Sequence, residues 1–178
     1  EFLEDVRNMP ARNLAVELLE KLLRDEIRSH SRTNVVQEKK YSDRLLESLR
    51  RYHNRAIETA QVIEELIQMA KEFKDALERN ETLGLNPDEL AFYDALANNE
   101  RAVRELGDAT LKALATELTR QLRKSTTVDW QVRDSVRAKI RNLVRRLLRR
   151  YKYPPDGQQD AIQLILKQAE ALSSSWTN

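Results

Sequence analysis

From Gln131 to Tyr153 the chain contains neither glycine nor proline, and it then halts at Pro154-Pro155. No other stretch restricts the fold so tightly. Val132, Val136, Ile140, Leu143, Val144, Leu147, Leu148 and Tyr151 recur at three- and four-residue steps. Side chains at that spacing stack on one face, so the pattern predicts a helix with an apolar keel, opened by Val128-Asp129-Trp130. The rest of its surface is cationic: Arg133, Arg137, Lys139, Arg141, Arg145, Arg146, Arg149, Arg150 and Lys152 face one carboxylate, Asp134. That local excess is larger than the net charge of +2 carried by the whole chain. A helix so charged must meet something anionic or repel itself. Arg137, Lys139, Arg141, Arg145, Arg146, Arg149 and Arg150 are therefore the candidate partner- or DNA-binding residues.

Three glycines and four prolines in 178 residues leave little material for hairpins, and apolar residues almost never alternate with period two. The expectation is an all-α fold, a single multi-helix bundle of about six to eight helices. Cysteine is absent, which removes disulfides and thiolate metal sites. No apolar run reaches eighteen residues, so no transmembrane helix and no membrane partner are expected. The first twenty residues are acidic and mixed, unlike a signal peptide, and a cytoplasmic location is expected. The chain opens on Glu1, so it is expected to be cut from something larger, with residues 1–7 an extension or cloning remnant.

The domain itself is expected over residues 8–172. Pro10 suits a first helical turn after Asn8, and Leu14, Leu18 and Leu22 step by four beside Leu19, Leu23 and Ile27. A second pattern runs from Asn34 to about Asn80, with a break placed at Tyr52 to Arg55 and Asn54 as a cap. Asn86-Pro87-Asp88-Glu89 has the spacing of a capping box. A short helix should end at Gly107, with Asp108 capping the next as far as Lys124, and Ser125-Thr126-Thr127 the following loop. A last helix carries Ile162, Ile165, Leu166, Ala169 and Leu172, and residues 173–178 read as a frayed tail.

Catalytic signatures are missing. No glycine precedes a Lys-Ser or Lys-Thr pair, so no phosphate-gripping loop of that type is present. Glu38-Lys39-Lys40 and Glu72-Phe73-Lys74 match Glu-x-Lys, but both lie in helical periodicity and read as solvated faces. Glu26 and His30, four apart, read as a helix-end charge pair rather than a metal pair. Phe92, Tyr93, Trp130, Tyr151 and Tyr153 fall on apolar stripes and read as core rather than as base-stacking platforms. No catalytic residue, metal site or cofactor is expected in this chain.

Three separated segments, taken in order, resemble a known family. They are Asn54-Arg55-Ala56-Ile57-Glu58; Gly84-Leu85 with Asp88 to Leu96; and Asp129-Trp130, Val132-Arg133, Ser135 to Lys139 and Tyr151 to Pro155. Together they resemble the C-terminal helical region of the R subunit of type I restriction enzymes, the motor and endonuclease subunit. One departure is Lys152, where some relatives carry a glycine that would stop the helix. The resemblance implies a parent chain that uses ATP and magnesium to translocate and cut DNA, through domains outside this stretch. It also implies docking onto the methyltransferase and specificity subunits of the complex.

The cationic face then has three readings. It docks on the methyltransferase core, it tracks DNA phosphates without sequence preference, or it is neutralised inside the domain. The last draws on the stretch from Glu58 to Asp108, where 13 acidic residues outnumber 5 basic ones.

Overall fold

The computed structural model describes residues 1–125 and 134–176. Among them there are eight α-helices, one short 3-10 turn and no strand. The helices are α1 (Phe2–Arg7), α2 (Arg12–Ser31), α3 (Val35–His53), α4 (Thr59–Thr82), α5 (Pro87–Ala97), α6 (Glu100–Ser125), α7 (Asp134–Arg150) and α8 (Gln158–Trp176). The all-α expectation holds. Segments Val128-Asp129-Trp130 and Val132-Arg133, and the loop at Thr126-Thr127, lie outside the described residues.

Packing divides the helices between two compact units: residues 1–32 with 37–83, and residues 33–36 with 84–178. In the first unit α2 and α4 lay Ala15, Leu19, Leu23 and Ile27 with Val62, Ile63, Leu66 and Ile67 into one core. The buried α2 stripe is therefore the expected Leu19-Leu23-Ile27 row, extended to Ala15, with the Leu14-Leu18-Leu22 ridge at its edge. Leu14 is 46% exposed, because the row one residue along, stepping by four from Ala15 to Ile27, faces the partner helices. Val6 of α1 is buried in the same core, so residues 1–7 pack rather than trail. Pro10 lies before α2, whose N-cap is Ala11.

The expected break in the long central pattern is present, but its chemistry differs. Asn54 closes α3, its amide donating to Arg50, and the next residue, Arg55, sits at φ 59. The Arg55 amide reaches Tyr52 O and the Ala56 amide reaches Arg51 O, the paired bonds that end a helix through a left-handed residue. The N-cap of α4 is Glu58 rather than Asn54.

The second unit contains α5 to α8. Asn86 and Glu89 form the expected capping box at α5, with bonds of 2.8 and 3.0 Å. Gly107 interrupts α6 at φ 78 and ψ 168, a conformation open essentially to glycine, which bends the axis where a helix end was expected. Asp108 turns its carboxylate to the Tyr93 hydroxyl and to Lys112, and Tyr93 and Lys112 together hold it below the usual carboxylate range. Phe92 and Tyr153 are fully buried, and Tyr93 and Tyr151 pack on the same core, as their positions on apolar stripes predict.

Residues 33–36 belong to this unit because Gln168 of α8, itself buried, holds them. Its amide donates to Thr33 O and its oxygen accepts from the Val35 amide at 2.9 Å. Asn34 adds a 2.7 Å bond to Asp94. Helix α8 also runs further than expected. Ser173 is buried, and Trp176 donates to Asp88 at 2.8 Å and lies 6.2 Å from the Phe92 ring. The tail reading fails as far as Trp176, because an indole with both an apolar neighbour and an acceptor anchors the last turn.

Candidate functional site

Helix α7 is amphipathic for the reason its spacing gave. Ile140, Val144, Leu147 and Leu148 are buried, and Val136, Leu143 and Tyr151 pack at the edge of the same core. The helix stops at Arg150, earlier than a run to Tyr153. Lys152 takes the left-handed conformation at φ 60, its amide bonding Arg149 O while the Tyr153 amide bonds Leu148 O. A lysine thus performs the stop that a glycine makes elsewhere.

With the keel buried, the cations point outward. Arg137, Lys139, Arg141, Arg146, Arg149 and Arg150 are exposed and Arg145 is half-buried. None of the seven forms an ion pair with a described carboxylate of its own unit. Several of those carboxylates have other partners: Glu105 and Asp156 hold Arg101, Asp108 holds Lys112, and Glu117 holds Arg120. In the first unit, Glu64, Glu65 and Glu72 of the acidic stretch pair with Arg7, Arg51 and Arg44. Within each unit, these carboxylates are therefore matched to cations other than those of α7.

The seven cations are not one patch. Arg141, Arg145 and Arg149, four residues apart, line a groove of about 540 Å³ whose other wall is α8. Facing them are Gln158, Gln159 and Gln163, over a floor of Ile162 and Leu166. Among the described residues no acidic side chain lines this groove. Gln158 is committed to the Tyr153 carbonyl at 2.9 Å, and Arg145 lies 3.5 Å from the neutral amide oxygen of Asn142. Arg137 lines a separate groove of about 590 Å³ that it shares with Asp160, Lys167 and Glu170. Lys139, Arg146 and Arg150 occupy the other flank of the helix. There Arg150 helps to lower Glu117, whose carboxyl falls to about 2, chiefly through hydrogen bonds from Arg120 and Gln121.

Elsewhere the chemistry is structural. Among the described residues no three His, Asp or Glu side chains converge as metal ligands. His30 and Glu26 form a helix pair at 3.2 Å, and Glu72 of the second Glu-x-Lys match accepts from Arg44 and Gln68. No helix is long and apolar enough to cross a membrane among the described residues.

These features fit a family. The model for the type I restriction enzyme HindI endonuclease subunit-like C-terminal region matches residues 1–175. The chain belongs to that family. The HindI endonuclease subunit of Haemophilus influenzae is 45% identical over 177 residues, covering 99% of this chain and 17% of that protein. A putative type I restriction enzyme MjaIXP endonuclease subunit of Methanocaldococcus jannaschii is 41% identical over 96 residues, 54% of this chain and 9% of that protein. The chain thus spans less than a fifth of the restriction subunits it matches. No solved structure matches.

For this restriction-subunit region, sequence reasoning found the cationic row but missed its glutamine wall. Gln159 and Gln163 step by four on α8, a signal that is legible only once the helix beside Arg141, Arg145 and Arg149 is known.

Proposed function

We propose that this chain is a non-catalytic assembly region of a type I restriction enzyme R subunit, docking that subunit onto the methyltransferase core. Two things support this reading: the chain belongs to the C-terminal region of the family, and α7 carries seven cations that form no ion pair with a described carboxylate of their unit. The single observation that carries it is that open cationic back. Charged faces of this kind steer encounter and select partners more than they set affinity. The outer flank, Lys139, Arg146 and Arg150, is exposed and suits a broad protein surface. DNA cleavage and translocation, with the ATP and magnesium they use, are proposed to belong to other regions of a cytoplasmic parent subunit.

The test is a pulldown of methyltransferase and specificity subunits by this chain, with Lys139, Arg146 and Arg150 reversed to Glu. Capture by the native chain and loss in the variant are expected. Equal capture by both would remove the outer flank from the interface. The chain alone is expected to show neither ATPase nor nuclease activity, and metal-dependent DNA cleavage would reveal a missed site.

A second reading, contact with the DNA backbone, is favoured by one observation, the arginine-lined groove beside α8.

A further inference from the structure

We propose that the groove between α7 and α8 is a seat for the phosphate backbone of duplex DNA, held by Arg141, Arg145 and Arg149 with Gln159 and Gln163. This rests on the second reading above and names its residues and its ligand. The three guanidinium groups are spaced one turn apart, so the row runs about 12 Å along the helix. Each offers a planar fork of donors that matches phosphate oxygens. The facing glutamine amides are neutral donors of a kind that, with arginine, lysine and others, contact phosphate and sugar.

Electrostatics sets this groove apart from its neighbour. The groove holding Arg137 also contains Asp160 and Glu170, which would repel phosphates, whereas no described carboxylate lines the one holding Arg141. The nearest acidic residue beyond Pro155, Asp156, is turned to Arg101 at 2.8 Å. The lining also decides between duplex and single strand. Among the described residues no aromatic ring lines the groove, so they offer unpaired bases nothing to stack on. The donors it does present, three guanidinium groups and glutamine amides at the start of α8, are of the kind that contact phosphate and sugar. Binding should therefore ignore sequence.

The experiment is fluorescence anisotropy of this chain with two unrelated 20-base-pair DNA duplexes, at 50 and 200 mM salt. Three phosphate contacts give a log–log salt slope near −2.7, a loss of roughly 40-fold in affinity between those concentrations. Equal affinity for both duplexes with that loss is the expected result. The exposed substitution Arg149→Gln should flatten the slope by about 1, and R141Q/R145Q/R149Q should abolish binding at 50 mM while the thermal melt stays in place. No retention at 50 mM, an unchanged triple variant, or a single-stranded 20-mer bound as tightly as the duplex would overturn the proposal.

The same triple variant goes through the methyltransferase pulldown. Lost DNA retention with intact capture assigns the groove to DNA. Loss of both places it in the protein interface instead and overturns the assignment. Docking fails separately if reversal of Lys139, Arg146 and Arg150 leaves capture intact.

Discussion

The Tyr153 hydroxyl donates a 2.7 Å hydrogen bond to the Leu96 carbonyl, and both residues are fully buried. The bond ties the chain just past the basic helix to the end of α5. Burial pushes the phenol up to about 12 from its ordinary 10.

Tyr153→Phe keeps the ring and leaves a buried carbonyl without its donor. A loss of about 1–3 kcal/mol is expected by urea unfolding. The pH dependence follows from the raised value. The unfolded state ionises first, so stability is full below pH 10 and falls between 10 and 12, by roughly 1–3 kcal/mol in all. The Phe variant should lack that alkaline fall, and an identical fall would move the cause elsewhere.

Lys152 holds a left-handed backbone at φ 60 with an exposed side chain. Replacing it with glycine relieves a steric cost of about 1–2 kcal/mol. Lys152→Gly should therefore raise the urea midpoint, and Arg55→Gly, at φ 59 in the first unit, should act likewise. A lower midpoint in both would mean that these lysine and arginine stems contribute more packing than the strain they carry.

A Cβ on Gly157 would meet the Asn99 amide nitrogen at 1.8 Å. Asn99 caps α6, accepting from the amides of Arg101 at 2.9 Å and Ala102 at 3.3 Å. Gly157→Ala should displace that cap and cost about 0.5–2 kcal/mol. Once Asn99→Ala has already removed the cap, the same Gly157 change should cost clearly less. Additive losses in that double-mutant cycle would rule out the shared cause.

The Glu117 carboxyl lies near 2, held down first by Arg120 and then by Gln121. A depressed carboxylate adds stability above its unfolded value, and that contribution is lost as pH falls toward 2. A side-chain carboxyl NMR titration should show the low midpoint, and Arg120→Gln should return it toward 4.5. A midpoint already near 4.5 in the native chain would show that the pair does not persist in solution.

Much of this fold was legible because helices dominate it and their apolar residues keep a three-to-four period. The keel of α7, the Asn86–Glu89 box and the break at Gly107 all come from local chemistry, and all were found. What was missed depends on residues far apart in sequence. Leu14, Leu18 and Leu22 make as good a stripe as Leu19, Leu23 and Ile27; both rows are legible together, and only the neighbouring helices decide that the second is the core. Trp176 reads as a tail residue until Asp88 is placed beside it. Asn54 is a good cap by type, yet it closes α3, because Arg55 takes the left-handed turn. The same limit applies to the candidate site: the seven cations were evident from spacing, whereas their separation into a grooved row and an outer row needed α8.

The hold of Gln168 on Thr33 and Val35 has a consequence for anyone dissecting this chain. Four residues, Thr33 and Asn34 of the α2–α3 linker with the first two of α3, complete the second unit, so that unit is discontinuous along the polypeptide. A fragment started at Gly84 would leave a buried amide with neither of its partners and Asp94 without Asn34. The turn that looks like a natural place to cut is therefore the wrong scissor point. A permuted gene that restores Thr33–Val36 should express as folded protein where the plain truncation precipitates.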